Sequence, residues 1–233
     1  MRELTTISGE LRRRADRTRL YRYRPYTKQA EFHAAGAEHR ERLFIAGNQL
    51  GKTWSGGAEA AIHLTGRYPS WWQGHRWDRP VRGWVGSDGF NAVRDGAQRI
   101  LIGEPKVESL WGTGMIPGDD LLDWSRAGGG VPDLLDSVVV QHWRNTGNDP
   151  DRPRWEKDGV STLGFKSYDQ GRAKWQGDTL DFVWFDEEPE EDIYTEGLTR
   201  TNATGGIAWM TFTPLRGMSS VVHGFIEACG GLK

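Results

Sequence analysis

Apolar and polar positions along this chain change period repeatedly, from runs and alternations of strand type to the three-and-four spacing of helices. A short apolar run at residues 42–46 predicts a strand, and the alanine-rich stretch 54–65 after it predicts a helix that Gly66 would end with a left-handed cap. Further strands are expected at 81–86, at 137–143 around Val138, Val139 and Val140, and at 160–167. The continuous apolar run 182–185 predicts a strand buried on both faces, and 206–213 one more. Helices are expected at 10–21, stopped by Pro25, and from Thr27 as N-cap through about His39, with Ala30, Phe32 and Ala35 near one face. Another should cover 91–102. The stretch 104–132, with Gly128, Gly129 and Gly130, reads as a turn-rich excursion and 145–158 as a polar loop. Strands alternating with helices predict an α/β fold, with a mostly parallel central sheet and helices on both faces.

At 233 residues the chain is long enough for one sizeable domain, burying roughly 70% of its unfolded surface. The net charge of −2 hides an uneven distribution. Arg12, Arg13, Arg14, Arg17, Arg19, Arg22, Arg24 and Lys28 crowd the N-terminus, whereas 178–196 carries only acidic charges. Residues 1–24 therefore read as a basic arm, which either binds a polyanion or is simply solvated. One cysteine, Cys229, excludes an internal disulfide framework. No apolar run reaches membrane-spanning length and no secretory signal opens the chain, so a soluble, intracellular protein is expected.

The chemistry concentrates first at Ala46, Gly47, Asn48, Gln49, Leu50, Gly51, Lys52 and Thr53. Strand, small-residue loop, Lys-Thr and helix in that order are the context of a phosphate-binding loop. Backbone N–H groups at a helix N-terminus wrap a polyphosphate only where no side chain blocks the approach, which Gly51 ensures. Lys52 supplies charge to the β- and γ-phosphates, and the Thr53 hydroxyl suits Mg2+. The strict pattern opens on glycine; here the first position is Ala46. The competing reading is a glycine-rich turn before an amphipathic helix.

The buried run 182–185 ends in Asp186-Glu187-Glu188, placing acids at the carboxyl end of a central strand, where open parallel sheets bind ligands. Asp186 can meet the metal held by Thr53, and Glu187 can orient and deprotonate an attacking water. The alternative is an acidic turn capping the next helix. Thr211 and Thr213, at another strand end, can sense a γ-phosphate. Tyr26 and Gln29 open a helix, where an aromatic ring and an amide can grip a purine or simply form a polar first turn. Trp71, Trp72 and Trp77 read as packing over the core rather than as a stacking platform.

Together, Ala46 to Thr53, the block Ser167-Tyr168-Asp169-Gln170-Gly171-Arg172 leading to Gln176-Gly177-Asp178, the acids Asp186-Glu187-Glu188-Pro189 and Thr211-Phe212-Thr213-Pro214 resemble the ATPase half of a tailed-phage large terminase subunit. The resemblance runs from about Tyr23 onward. It implies a P-loop NTPase of the additional-strand catalytic-glutamate type over 25–233, hydrolysing ATP with Mg2+ to drive double-stranded DNA into a procapsid. It further implies portal protein and small terminase subunit as partners, a homo-oligomeric ring at the portal vertex, and a place in the host cell cytoplasm. Tyr26 and Gln29 then correspond to an adenine-binding motif, and Thr211 to Thr213 to a coupling motif. Where many members carry arginines in the phosphate loop and before the glycine upstream of the acids, this chain has Gln49 and Gln176. Arg172 is the nearest substitute for a trans-acting arginine, with Lys174 and Arg154 as further candidates; as a surface side chain it would instead pair with Asp169 or Asp178. The family's nuclease half has no counterpart before Lys233, so nuclease activity is not expected. A helicase-like DNA-dependent ATPase and a non-hydrolysing assembly switch are the competing functions.

Overall fold

The computed structural model describes residues 9–228, apart from 13, 48, 129, 148, 150, 151 and 215–218. Seven strands form one sheet in the order β1-β7-β6-β2-β5-β4-β3. They are β1 (Glu41–Ile45), β2 (Arg82–Ser87), β3 (Leu121–Arg126), β4 (Leu135–Asn145), β5 (Trp155–Ser167), β6 (Phe182–Asp186) and β7 (Ile207–Phe212). From β1 to β5 every neighbouring pair is parallel, and β5-β4-β3 extends the sheet antiparallel. One strand, β7, thus lies between the strand entering the phosphate loop and the strand carrying the acids.

Helices α1 (Arg19–Arg22), α2 (Thr27–Ala35), α3 (Lys52–Thr65), α5 (Glu191–Arg200) and α6 (Ser220–Ala228) accompany the strands. Between β2 and β3 runs α4, α-helical over Phe90–Ala92, π-helical over Val93–Gln98 and α-helical again over Arg99–Ile102.

The two central strands show why both faces are covered. Phe182 and Trp184 of β6, with Ile207 and Trp209 of β7, pack in one core with α3 and α4. Val183, Phe185, Ala208, Met210 and Phe212 point to the other side, against Ile193 of α5 and Val221 and Val222 of α6. Period two thus places alternate apolar side chains in separate cores. On the first face Gly56 and Gly57 let α3 settle onto the sheet, since a Cβ at Gly56 would lie 2.6 Å from the Trp184 ring.

Several sequence expectations shift. Tyr26 rather than Thr27 is the N-cap of α2, which ends at Ala35 and not near His39. The expected 10–21 helix is interrupted by a turn at 17–18 before α1, and Leu20 and Tyr23 join the first core. The excursion contains β3, whose residues after Leu121 are all exposed, so no alternating apolar pattern marked it. The polar loop is shorter than expected because β5 already starts at Trp155, paired with Asn145. Gly129 and Cys229 lie outside the described residues, as does Arg13.

Candidate nucleotide site

β1 delivers the chain into the loop at the N-terminus of α3. Gly51, the N-cap, has φ 76°, and Gln49 has φ 61°. Two left-handed residues lead the chain into the helix start, where the first amides of α3, which have no intrahelical acceptor, are suited to an anion. Lys52 is 7% exposed, and its Nζ donates to the Gly47 carbonyl at 2.7 Å across the loop. Leu50 projects outward, 60% exposed. Asn48 lies outside the described residues.

Facing this helix start, the C-terminal edge of β6 and β7 presents the acids. Asp186 is 4% exposed; its Oδ1 accepts from Thr211 Oγ1 at 2.9 Å, and it also takes a hydrogen bond from the Thr53 side chain. Burial pushes its carboxyl up to about 7, the two hydroxyls and Lys52 offsetting only part of that and Glu187 adding to it. Glu187 is half-buried, and burial raises its carboxyl too, with the Thr213 N–H and Lys52 opposing and Asp88 and Glu188 reinforcing. Its backbone is left-handed, φ 79°, a conformation costing a non-glycine residue about 1–3 kcal/mol. Three bonds hold it there. The Glu187 N–H donates to the Thr211 carbonyl at 2.8 Å, Thr213 N–H to Glu187 Oε2 at 3.4 Å, and Tyr168 Oη to the Glu187 carbonyl at 2.8 Å.

The donors brought together at this edge are hard oxygens, one carboxylate and one threonine hydroxyl, and no group of three or more His, Cys, Asp or Glu side chains that could hold a metal ion occurs among the described residues. That set fits Mg2+, which is commonly held by one or two protein oxygens together with substrate phosphates and water. A buried carboxylate that burial keeps close to neutral is the group whose charge a cation would stabilise.

Gln29 sits beside the loop, 3% exposed. Its Oε1 accepts from the Tyr26 N–H at 2.9 Å and its Nε2 donates to the Gly51 carbonyl at 3.1 Å, so both ends of the amide are engaged. Tyr26 is 76% exposed. Two cavities of about 780 and 980 Å3 flank the pair, one bordered by Phe44, Ile45 and Ala46, the other by Arg19, Arg24 and Trp54. Arg172, 58% exposed at its side chain, donates from Nε to Glu196 Oε2 at 2.9 Å. Its partner is therefore Glu196 of α5 rather than Asp169 or Asp178, because the short helical turn beginning at Arg172 packs against that helix. Sequence reading singled out neither Asp88, near Glu187, nor Trp184, beneath α3; Trp184 was hidden as one apolar letter in the run 182–185.

The model of the family described as terminase large subunit, T4likevirus-type, N-terminal, matches residues 43–230. A terminase large subunit of Salmonella phage P22 is 45% identical over 220 residues, covering 89% of this chain and 42% of that protein. One of Enterobacteria phage LP7 is 45% identical over 51 residues, 22% of this chain and 11% of that protein. The chain thus spans less than half the length of these relatives. In three dimensions it resembles the large terminase ATPase domain of Thermus phage P74-26, with TM-score 0.60 and 20% identity over 92% of this chain and 75% of that one.

Proposed function

Since the chain belongs to the family of T4likevirus-type terminase large subunits, in their N-terminal part, we propose that it is an ATP-hydrolysing motor domain that drives double-stranded DNA into a procapsid. The observation that carries the reading is the meeting of Thr53, at the start of α3, with Asp186 at the end of β6, Glu187 being the next residue.

In this reading the α3 amides and Lys52 bind the β- and γ-phosphates. Thr53 and Asp186 hold Mg2+, which when bound neutralises charge developing on the phosphate oxygens. Glu187, held at the strand edge by Thr211, Thr213 and Tyr168, orients water and takes its proton; its raised carboxyl suits a base working near neutrality. Tyr26 and Gln29 lie on the base side, where Gln29 reads an adenine by exchanging its bond to Tyr26 or Gly51. Thr211 and Thr213 touch Asp186 and Glu187 directly, which suits them to relay loss of the γ-phosphate. Arg172 serves a neighbouring subunit in a homo-oligomeric ring, with residues 25–233 as the motor. Portal protein, small terminase subunit and duplex DNA are the partners, at the portal vertex in the host cell cytoplasm. Among the described residues no helix is long and apolar enough to cross a membrane.

The test is steady-state and single-turnover ATP hydrolysis, with and without duplex DNA, on wild type and Glu187→Gln. We expect the variant to bind nucleotide as wild type does and to lose turnover. Wild-type turnover in Glu187→Gln, or absence of Mg2+-dependent nucleotide binding in the parent, overturns the assignment.

A further inference from the structure

The fully buried Phe182, Trp184 and Trp209 meet where β6 and β7 pass beneath α3, but of the two indoles only that of Trp184 is hydrogen-bonded toward the acids. Trp184 is 0% exposed, and its Nε1 donates to Thr211 Oγ1 at 2.8 Å. Thr211 Oγ1 in turn donates to Asp186 Oδ1 at 2.9 Å. We propose that Trp184 is a positioning residue for Asp186, acting through the Thr211 hydroxyl, and that it ties the orientation of that carboxylate to the seating of the phosphate-loop helix. The inference rests on the motor reading above, in which Asp186 is a metal ligand.

The direction of this chain follows from donor chemistry. An indole nitrogen only donates, and a hydroxyl has one proton. With Trp184 occupying an acceptor site on Thr211, the hydroxyl proton is left for Asp186, and the rotor is held in that one orientation. Oδ1 is thereby engaged and rotation of the carboxylate is restrained, as an outer-shell partner does for a metal ligand. Without the indole, Thr211 could swing its proton elsewhere.

The need for tryptophan is not explained by packing. Trp209 in the same core and Trp175 in the core on the other face of the sheet, both fully buried, carry indole nitrogens without a hydrogen-bond partner, so the interior tolerates an unpaired indole. At residue 184 phenylalanine would supply the apolar face alone; the N–H is what tryptophan adds. The same ring is the floor on which α3 rests. A Cβ at Gly56 would fall 2.6 Å from the ring and one at Gly57 3.5 Å, and these glycines lie three and four residues after Thr53, on the same side of the helix. One rigid ring thus touches the helix that starts at Lys52 and Thr53 and fixes the hydroxyl that orients Asp186.

The experiment compares Trp184→Phe, Thr211→Val and the double variant by titration calorimetry with ADP, in Mg2+ and in EDTA. We expect Trp184→Phe to bind ADP in EDTA as wild type does, and to lose about fivefold of the affinity gain that Mg2+ confers, less than the 10–100-fold typical of a direct outer-shell partner. Thr211→Val should lose more, and the double variant no more than Thr211→Val alone. Equal weakening with and without Mg2+, or a Trp184→Phe effect that persists undiminished in the Thr211→Val background, overturns the inference. Should Trp184→Phe fail to fold, the indole N–H resonance of Trp184 decides in its place: it should move in Thr211→Val and stay in Thr211→Ser, and an unmoved resonance in Thr211→Val overturns the inference. Wild-type protein that shows no Mg2+-dependent ADP binding refutes the motor reading itself, whereas normal wild-type binding with an unaffected Trp184→Phe refutes only the role of Trp184.

Discussion

Two carboxylates are buried close to the phosphate-loop helix, and the protein treats them in opposite ways. Glu59, on α3 and 1% exposed, is surrounded by one guanidinium and two imidazoles. Arg42 Nη2 lies 2.5 Å from Oε1, His33 Nδ1 2.7 Å from Oε2 and His63 Nε2 3.5 Å from Oε1. Burial alone would raise its carboxyl, but Arg42, His33 and His63 outweigh it and hold the group well below the usual range. Asp186 receives only hydroxyls and is pushed up to about 7. The first charge is settled inside the fold and joins β1, α2 and α3. The second is left one cation short, as a carboxylate in a site built for a ligand rather than for stability would be.

The sharpest way to break this comparison is to neutralise both groups. Asp186→Asn should lose Mg2+-dependent turnover by about a thousandfold or more, since the metal contributes several kcal/mol of charge stabilisation, while its unfolding midpoint stays or rises. Glu59→Gln should do the reverse. Leaving Arg42 buried without its partner costs about 3–5 kcal/mol, seen as a lower midpoint in denaturant, and turnover per folded molecule should remain close to wild type. A Glu59→Gln protein that is stable and inactive would reverse the assignment of the two roles.

The pH dependence should separate them next. Asp186 binds a proton more tightly folded than unfolded, so its contribution to stability falls as pH rises from its ordinary 3.8 to about 7. Glu59 is depressed, so its contribution is complete above its ordinary 4.5 and is lost as pH falls below that. His63, lowered by burial, acts on the same side, its contribution lost as pH falls below 6.5. The stability gap between wild type and Asp186→Asn should therefore move in favour of the variant from pH 4 to pH 7, and that for Glu59→Gln should narrow in acid.

The smallest effect on stability is expected at a third carboxylate, Glu196, shared by Arg172 and Arg200. With Arg200 still in place, Arg172→Ala should cost under about 1 kcal/mol, as exposed pairs do. If Arg172 serves a neighbouring subunit, Arg172→Ala and Glu187→Gln proteins, each inactive alone, should regain partial ATPase activity when co-assembled with portal and DNA. Absence of recovery removes the arginine from that role.

Much of this arrangement could be read from the chain because the residues concerned are local. The strand, loop and helix around Lys52 form one continuous segment, and the run ending in Asp186 and Glu187 announces a buried strand with acids at its tip. What could not be read depends on partners distant in sequence. Nothing near Glu59 signals that Arg42 and His33 will surround it, and a composition that spreads histidines along the chain gives no hint of their convergence. The exposed residues of β3 follow no apolar period, so pairing with β4 alone makes it a strand. The partner of Arg172 was misjudged for the same reason, since Glu196 is nearer in space than the acids beside it in sequence.

The wide turns of α4 carry a consequence for how the chain tolerates changes of length. Gly96 lies in the π segment, placed so that a Cβ there would come 3.4 Å from Asp186 Oδ2. A π segment accommodates one residue more than an α-helix over the same length, so deleting one residue between Val93 and Asp95 would let it tighten to ordinary α turns while the α turns on either side keep their facing. A single-codon deletion here should therefore be tolerated better than one in the middle of α3, where every residue beyond it would turn by roughly 100°.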